Sequence, residues 1–239
     1  MFPAASVLLL VFAALLAPEA AHALSGQITH LSGAVVARRA DGGSRVLSIR
    51  SDVNEGDIVI TADSSYARIK WADGGEIVLR PATQLKIDAY KYEEGSPQND
   101  NIALSLIKGG LRSVTGLLGR RNPGAFRVAT PNATIGIRGT HFGVIFCNSD
   151  CAGVTGPGGG PPPNGLHVDV ASGTIVLSNA GGSREYRVGE FGFVQNSTTP
   201  PVVIPPSQGT RVVLPSQALD RTSLGGSIGR GSDLECAIR

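Results

Sequence analysis

Three histidines lie beyond the first 23 residues, His30, His141 and His167, and they bound the acid–base chemistry open to the sequence. His167 and Asp169 are two apart in an alternating run, so a strand would place them on one face. There they could orient a base or hold a metal, but the same alternation describes a solvated strand surface, and that is the expectation here. His141 falls opposite Phe142, Val144 and Phe146 on a second alternating run. Ser113 with Lys108 does not stand out from ordinary surface residues. The carboxylates Asp57, Asp73 and Glu93-Glu94 could serve a calcium or acid–base site, yet Asp57 and Asp73 sit beside glycines, where turns favour aspartate for local hydrogen bonds. The nucleophile elbow G-x-S-x-G, the phosphate-binding P-loop and the H-E-x-x-H zinc helix do not occur. Glycines 156 and 158–160 lack the strand-to-helix context that a phosphate cradle requires. The expectation is a protein with no catalytic residues, no metal and no cofactor.

Cysteine chemistry rests on Cys147, Cys151 and Cys236. In an oxidising compartment Cys147 and Cys151 are the natural disulfide, leaving Cys236 unpaired. Free thiols and metal ligation are the alternatives. The latter lacks a histidine within the loop and a second cysteine pair. So short a loop removes little chain entropy, so the bond would pin a strand end rather than hold the fold.

The elements that must position these groups read as strands. Gly (32) and Pro (15) make up about a fifth of the 239 residues, which argues against a helical bundle. Ala67, Ile69 and Trp71 alternate with Arg68 and Lys70, and Asp73-Gly74-Gly75 supplies a turn, so residues 66–80 read as a hairpin. Leu85, Ile87 and Ala89 form one further apolar face, and Ile102, Leu104 and Leu106 another. After the first residues, only 216–224 have helical spacing. A loose repeat of strand, glycine, strand links residues 28–35, 104–111 and 168–175, which suggests stacked β-rungs or a two-sheet sandwich. The fold class expected is all-β, built of short antiparallel or stacked strands, β-solenoid-like or a β-sandwich.

Residues 4–18 are apolar and are followed by Ala21-His22-Ala23, which fits a secretory signal peptide (residues 1–23) cleaved after Ala23. The run is too short to span a bilayer, so the mature chain is expected to have no transmembrane span and to be periplasmic or secreted. Residues 24–195 form the expected β domain. Residues 153–165 are a Gly/Pro loop, and residues 196–239 a Pro/Gly/Ser-rich tail, packed along the core at first and partly disordered. A formal net charge of +2 without a basic run removes the footprint of a nucleic-acid binder.

One stretch carries a joint pattern. It runs from Gly56-Asp57 through Thr61, Asp73-Gly74, Lys108-Gly109-Gly110-Leu111-Arg112 and Thr130-Pro131 to Ala133-Thr134-Ile135-Gly136-Ile137-Arg138-Gly139-Thr140-His141-Phe142. Over about residues 45–150 this resembles the FecR domain family of bacterial envelope proteins. The resemblance implies a β-rich extracytoplasmic domain. Its best-known members relay siderophore or ferric-citrate status from an outer-membrane transporter to a cytoplasmic sigma factor, through a transmembrane helix and a cytoplasmic helical segment that this sequence lacks. The chain therefore resembles the stand-alone, exported type.

Within the motif, Pro131 suits a strand end or turn, and Gly136 and Gly139 suit positive φ or close backbone approach. Arg112 and Arg138 read first as structural, and with His141 they are also the candidate interaction residues. The expected function is an exported, non-catalytic module that binds a protein or glycan partner in the envelope. The alternatives are an indirect part in iron-uptake or cell-surface signalling and, behind it, an enzyme acting on envelope polymer.

Overall fold

The structure, a computed structural model, describes residues 25–151 and 153–214. The expected signal peptide (residues 1–23), residues 216–224 and Cys236 lie outside the described residues. Fifteen strands join one hydrogen-bonded sheet, and the pairings resolve it into two rows. The first row runs β4 (Asp52–Val53), β1 (Gly26–Ser32), β6 (Tyr66–Trp71), β7 (Glu76–Leu79) and the second half of β9 (Asn101–Val114). It continues through the second half of β11 (Thr134–Cys147), the first half of β12 (Gly165–Asn179), β14 (Phe191–Val194) and β15 (Val202–Ile204). The second row runs β3 (Ser44–Val46), β2 (Val35–Arg38), β5 (Ile58–Thr61), β8 (Gln84–Lys91) and the first half of β9. It continues through β10 (Phe126–Ala129), the first half of β11, the second half of β12 and β13 (Gly182–Arg187). All of these pairings are antiparallel except β9 with β10.

The two rows bury their apolar sides in one core. Ile28, Ile69, Ile77, Leu111, Phe142 and Val168 come from the first row, and Val59, Leu85, Leu104, Val128, Ile135 and Leu177 from the second. Across that core the rings of Trp71 and Tyr90 stack with centroids 5.4 Å apart, and the Tyr90 hydroxyl accepts the Asp73 N–H at 3.0 Å. The all-β expectation therefore holds, but the strands are not all short and the two layers are not separate sheets. Strands β9, β11 and β12, of 14, 14 and 15 residues, belong to both rows. A strand that bends can pair on both sides of a core and so removes the need for two sheets.

The bends explain the loose repeat. The chain changes rows between β1 and β2 at Gly33, within β9 at Gly109, within β11 at Gly139 and within β12 at Gly173, and all four have positive φ. Gly33, Gly109 and Gly173 are the repeat glycines. Other crossings do the same with Gly56, Ser64, Ala82 and Gly189. Gly109 shows why the residue type is fixed. At φ +81°, an added Cβ would stand 2.7 Å from the Thr83 Cα and 2.8 Å from the Ala82 carbonyl oxygen. Gly136 differs from expectation: its φ is not positive and a Cβ there would meet only the Val176 oxygen at 4.0 Å, so neither strain nor crowding demands glycine.

Two local features depart from the alternation. A bulge between Ile87 and Ala89 shifts the register, so Tyr90 rather than Ala89 follows Leu85 and Ile87 into the core. A short helix, α1 (Leu117–Arg121), leads from β9 towards β10. It has no local cap. The carboxylate of Asp73, 45 residues earlier, accepts the Leu118 N–H at 3.1 Å and the Gly75 N–H at 3.0 Å. A cap supplied from the β6–β7 turn leaves no local sequence signal.

Gly109→Ala should lower unfolding free energy by about 3 kcal/mol in denaturant titration, from a left-handed alanine meeting backbone. Gly136→Ala should change it by less than about 1 kcal/mol. Equal losses at the two positions would contradict the crossing geometry.

Candidate functional site

Strand alternation sends Leu111, Phe142, Val144, Val168 and Val170 into the core, so Arg112, His141, Gly143, Ile145, His167 and Asp169 occupy the outer side of the first row. That side is not solvated. His167 is 2% exposed, Asp169 4%, Arg112 6% and His141 9%. The solvated-surface expectation for His167 and Asp169 is thus corrected: alternation identifies two sides of a strand, but not whether a further layer of chain covers the polar one. Here residues 209–214 run across it, and Val212 and Leu214 are buried.

Arg112 organises the centre. Its Nη1 and Nη2 donate to the Asp169 Oδ2 at 3.0 and 2.9 Å, its Nε donates to the His141 Nε2 at 3.0 Å, and Nη1 also reaches the Val212 carbonyl oxygen at 3.1 Å. The second carboxylate oxygen of Asp169 accepts the Val212 N–H at 2.9 Å. Both polar groups of the Val212 backbone are thereby held by one ion pair. Gly143 lies beneath them, and a Cβ there would land on Asp169 and Val212. At the near end, Gly209 sits against the Phe191 ring and the Arg211 guanidinium stands 5.6 Å from that ring's centroid.

Electrostatics fix the roles. Burial works against charge on both partners, raising Asp169 above the usual carboxylate range and lowering Arg112, while Arg112 pulls Asp169 back down. Because Arg112 donates to Nε2, His141 is a neutral imidazole with its proton on Nδ1. Burial, with the neighbouring Arg112 charge second, lowers its pKa to about 4. His167 does not pair with Asp169. It donates from Nε2 to the Pro163 carbonyl oxygen at 2.8 Å and packs on Phe193, leaving a buried Nδ1 unpartnered. A neutral His141 whose free lone pair is already taken, beside a carboxylate with both oxygens occupied, is arranged to hold chain rather than to move protons. Among the described residues no group of three or more His, Cys, Asp or Glu could hold a metal ion.

Of the candidate interaction residues, Arg112 and His141 are buried in this centre. Arg138 is exposed at the β11 bend beside Gly139, and its side chain has no hydrogen bond or ion pair among the described residues. Cys147 and Cys151 form the disulfide expected of the pair, closing the turn that ends β11. The polar motif residues spend their side chains on the backbone of turns and crossings. Asp57 accepts Arg45 at 2.6 Å and the Asn54 N–H at 3.0 Å. The Thr61 hydroxyl donates to the Arg80 carbonyl oxygen and accepts the Thr83 N–H. Thr130 closes the turn to Ala133 beside Pro131. Thr115 and Thr140 bond reciprocally, the Thr115 hydroxyl donating to the Thr140 carbonyl oxygen and accepting its N–H. Gly74 turns the β6–β7 hairpin at φ +80°, and a Cβ on Gly110 would stand 2.8 Å from the Val144 oxygen. The partner of Arg112 is the element the sequence reading missed. The available signal was an opposite charge on the same side of a long strand.

Comparison with known proteins agrees with the motif. Residues 57–155, about two fifths of the chain, match the family model described as FecR protein. No curated protein matches the chain. A solved structure from Parabacteroides distasonis, described as a candidate anti-sigma factor, overlaps 64% of this chain and 60% of its own at 15% identity and a TM-score of 0.46. The chain thus spans less than two thirds of that neighbour. A structure described as a cell surface anchoring domain overlaps 26% of this chain and 80% of its own at 30% identity, with a TM-score of 0.25.

The sign of the pH response follows from the depressed histidine. A folded-state value near 4 against an ordinary 6.5 means that the unfolded chain takes up the His141 proton first. His141 therefore contributes stability above pH 6.5 that is lost progressively as pH falls from about 6.5 to about 4. His167, also lowered by burial, acts with the same sign, and Asp169, raised by burial, with the opposite one. His141→Gln keeps an acceptor for Arg112 but does not titrate. Its melting temperature should fall less steeply than that of the unaltered protein across this window. Parallel melting curves for the two would contradict the assignment.

Proposed function

We propose that the chain is an exported, non-catalytic module of the bacterial envelope that binds a protein or glycan partner. The supporting observation is the FecR match together with a buried polar centre whose Arg112–Asp169 pair holds the chain's own backbone, while the exposed Arg138 side chain has no partner among the described residues. A guanidinium fork without an internal partner is suited to a carboxylate or carbonyl on another molecule. The Cys147–Cys151 disulfide supports an oxidising compartment. Among the described residues no helix is long and apolar enough to cross a membrane. A second reading, an indirect part in iron-uptake or cell-surface signalling, is favoured by the FecR match.

Arg138→Ala should leave the melting temperature within about 2 °C, as expected for an exposed side chain. It should also reduce recovery of the partner in cross-linking from envelope extract at least fivefold. Recovery equal to that of the unaltered protein would remove Arg138 from the interface. If nothing is enriched above background, the binding role is lost. A change in siderophore-dependent transcription on gene deletion would select the signalling reading.

A further inference from the structure

A second site adjoins the segment that the Arg112 centre holds, at the corner where the chain crosses from β5 to β6 and from β7 to β8. A cavity of about 500 Å³ opens there, with Arg80, Tyr66, Asp63, Asp150, Ile145 and Val154 in its walls. Arg80 is the anomaly. Its Nε is buried with no hydrogen-bond partner, and the side chain forms no ion pair among the described residues. The side chain is half-buried and lines the cavity, so it presents a planar set of donors there that no side chain of the described residues accepts. The other walls narrow the choice. Asp63 and Asp150 can only accept hydrogen bonds when ionised, and Asp150 already accepts the Asn148 N–H at 2.9 Å and stands 3.5 Å from Lys108. Ile145, Val154 and the Tyr66 ring offer apolar surface.

We propose that this cavity binds an acidic sugar chain, with Arg80 clasping a uronate carboxylate. The inference rests on the binding-module reading above and assigns that role a ligand class. A carboxylate matches the planar guanidinium fork bidentately. Sugar hydroxyls can donate to the exposed carboxylate of Asp63, and the C–H face of a pyranose fits the apolar walls. An inorganic anion would satisfy Arg80 and leave the rest of the cavity unmatched. A polyanionic peptide would bring further carboxylates against Asp63 and Asp150 with no hydroxyl donors to offset them. The volume lies within the range that accommodates drug-sized ligands, and so leaves room for more than one sugar ring.

Calorimetric titration of the full chain tests this, using tri-galacturonate, galacturonic acid, maltotriose, tri-glutamate and inorganic phosphate as separate probes. Tri-galacturonate should bind, the monomer at least tenfold more weakly and maltotriose not measurably. Arg80→Met should weaken tri-galacturonate at least tenfold without lowering the melting temperature, because it keeps the packed stem and removes an unpaired charge. Arg80→Lys should restore binding in part. No binding of tri-galacturonate at millimolar concentration, binding unchanged in Arg80→Met, or equal binding of tri-glutamate or phosphate would each overturn the proposal. Retention of Arg138-dependent partner recovery alongside a failed titration would remove the sugar site alone. A successful titration without any such recovery would remove only the Arg138 interface.

Discussion

One buried ion pair ties together the parts of this molecule that are far apart in sequence. Arg112 from β9 and Asp169 from β12 meet across β11, where His141 accepts the guanidinium Nε–H, and the pair then grips the backbone of Val212 from both sides. These are the same three strands that belong to both rows of the sheet. Breaking a buried pair by deleting one partner leaves an uncompensated charge and typically costs about 3–5 kcal/mol. Replacing both partners by apolar groups often costs little, so the pair is best understood as a device for specificity. It fixes where residues 209–214 lie on a face that would otherwise be wet.

The FecR motif takes on a physical meaning in this light. Gly56, Gly109 and Gly139 mark corners at which the chain passes from one row to the other, Thr61 and Thr140 brace such corners, and Asp57 and Asp73 close turns. Asp73 also caps a helix that begins more than forty residues later. The motif is thus a record of how the sheet bends. Arg138 stands outside the core, and its side chain has no hydrogen-bond or ion-pair partner among the described residues. That separation, with motif residues inside and a free cation at an exposed bend, suits a scaffold that presents surface to a partner.

Much of the fold was legible because period-two alternation reports directly on the side of a strand that meets the core. Ile102, Leu104 and Leu106 and the hairpin over residues 66–80 fall where their alternation places them. Alternation fails where a polar side is buried under further chain. His167 and Asp169 look solvated because the residues covering them come from the Pro163 loop and from residue 212, regions whose composition suggests a loop and a tail. It fails again at the Ile87–Ala89 bulge, which one extra residue creates without any change in composition. The short helix Leu117–Arg121 is invisible for a related reason, since its cap comes from another part of the chain. Arg80 drew no attention in sequence because an unpaired cation can only be recognised once every neighbour is in place.

The most direct test of the ion pair's role is amide hydrogen exchange at Val212, compared between the unaltered protein and the double variant Arg112→Met, Asp169→Leu. The double variant removes both charges together and should therefore retain the core, with β9, β11 and β12 amides still protected, while the Val212 amide loses its acceptor and exchanges at least a hundredfold faster. Slow exchange at Val212 in both proteins would show that residues 209–214 are held by something other than this pair, and the account of the buried centre would then be wrong.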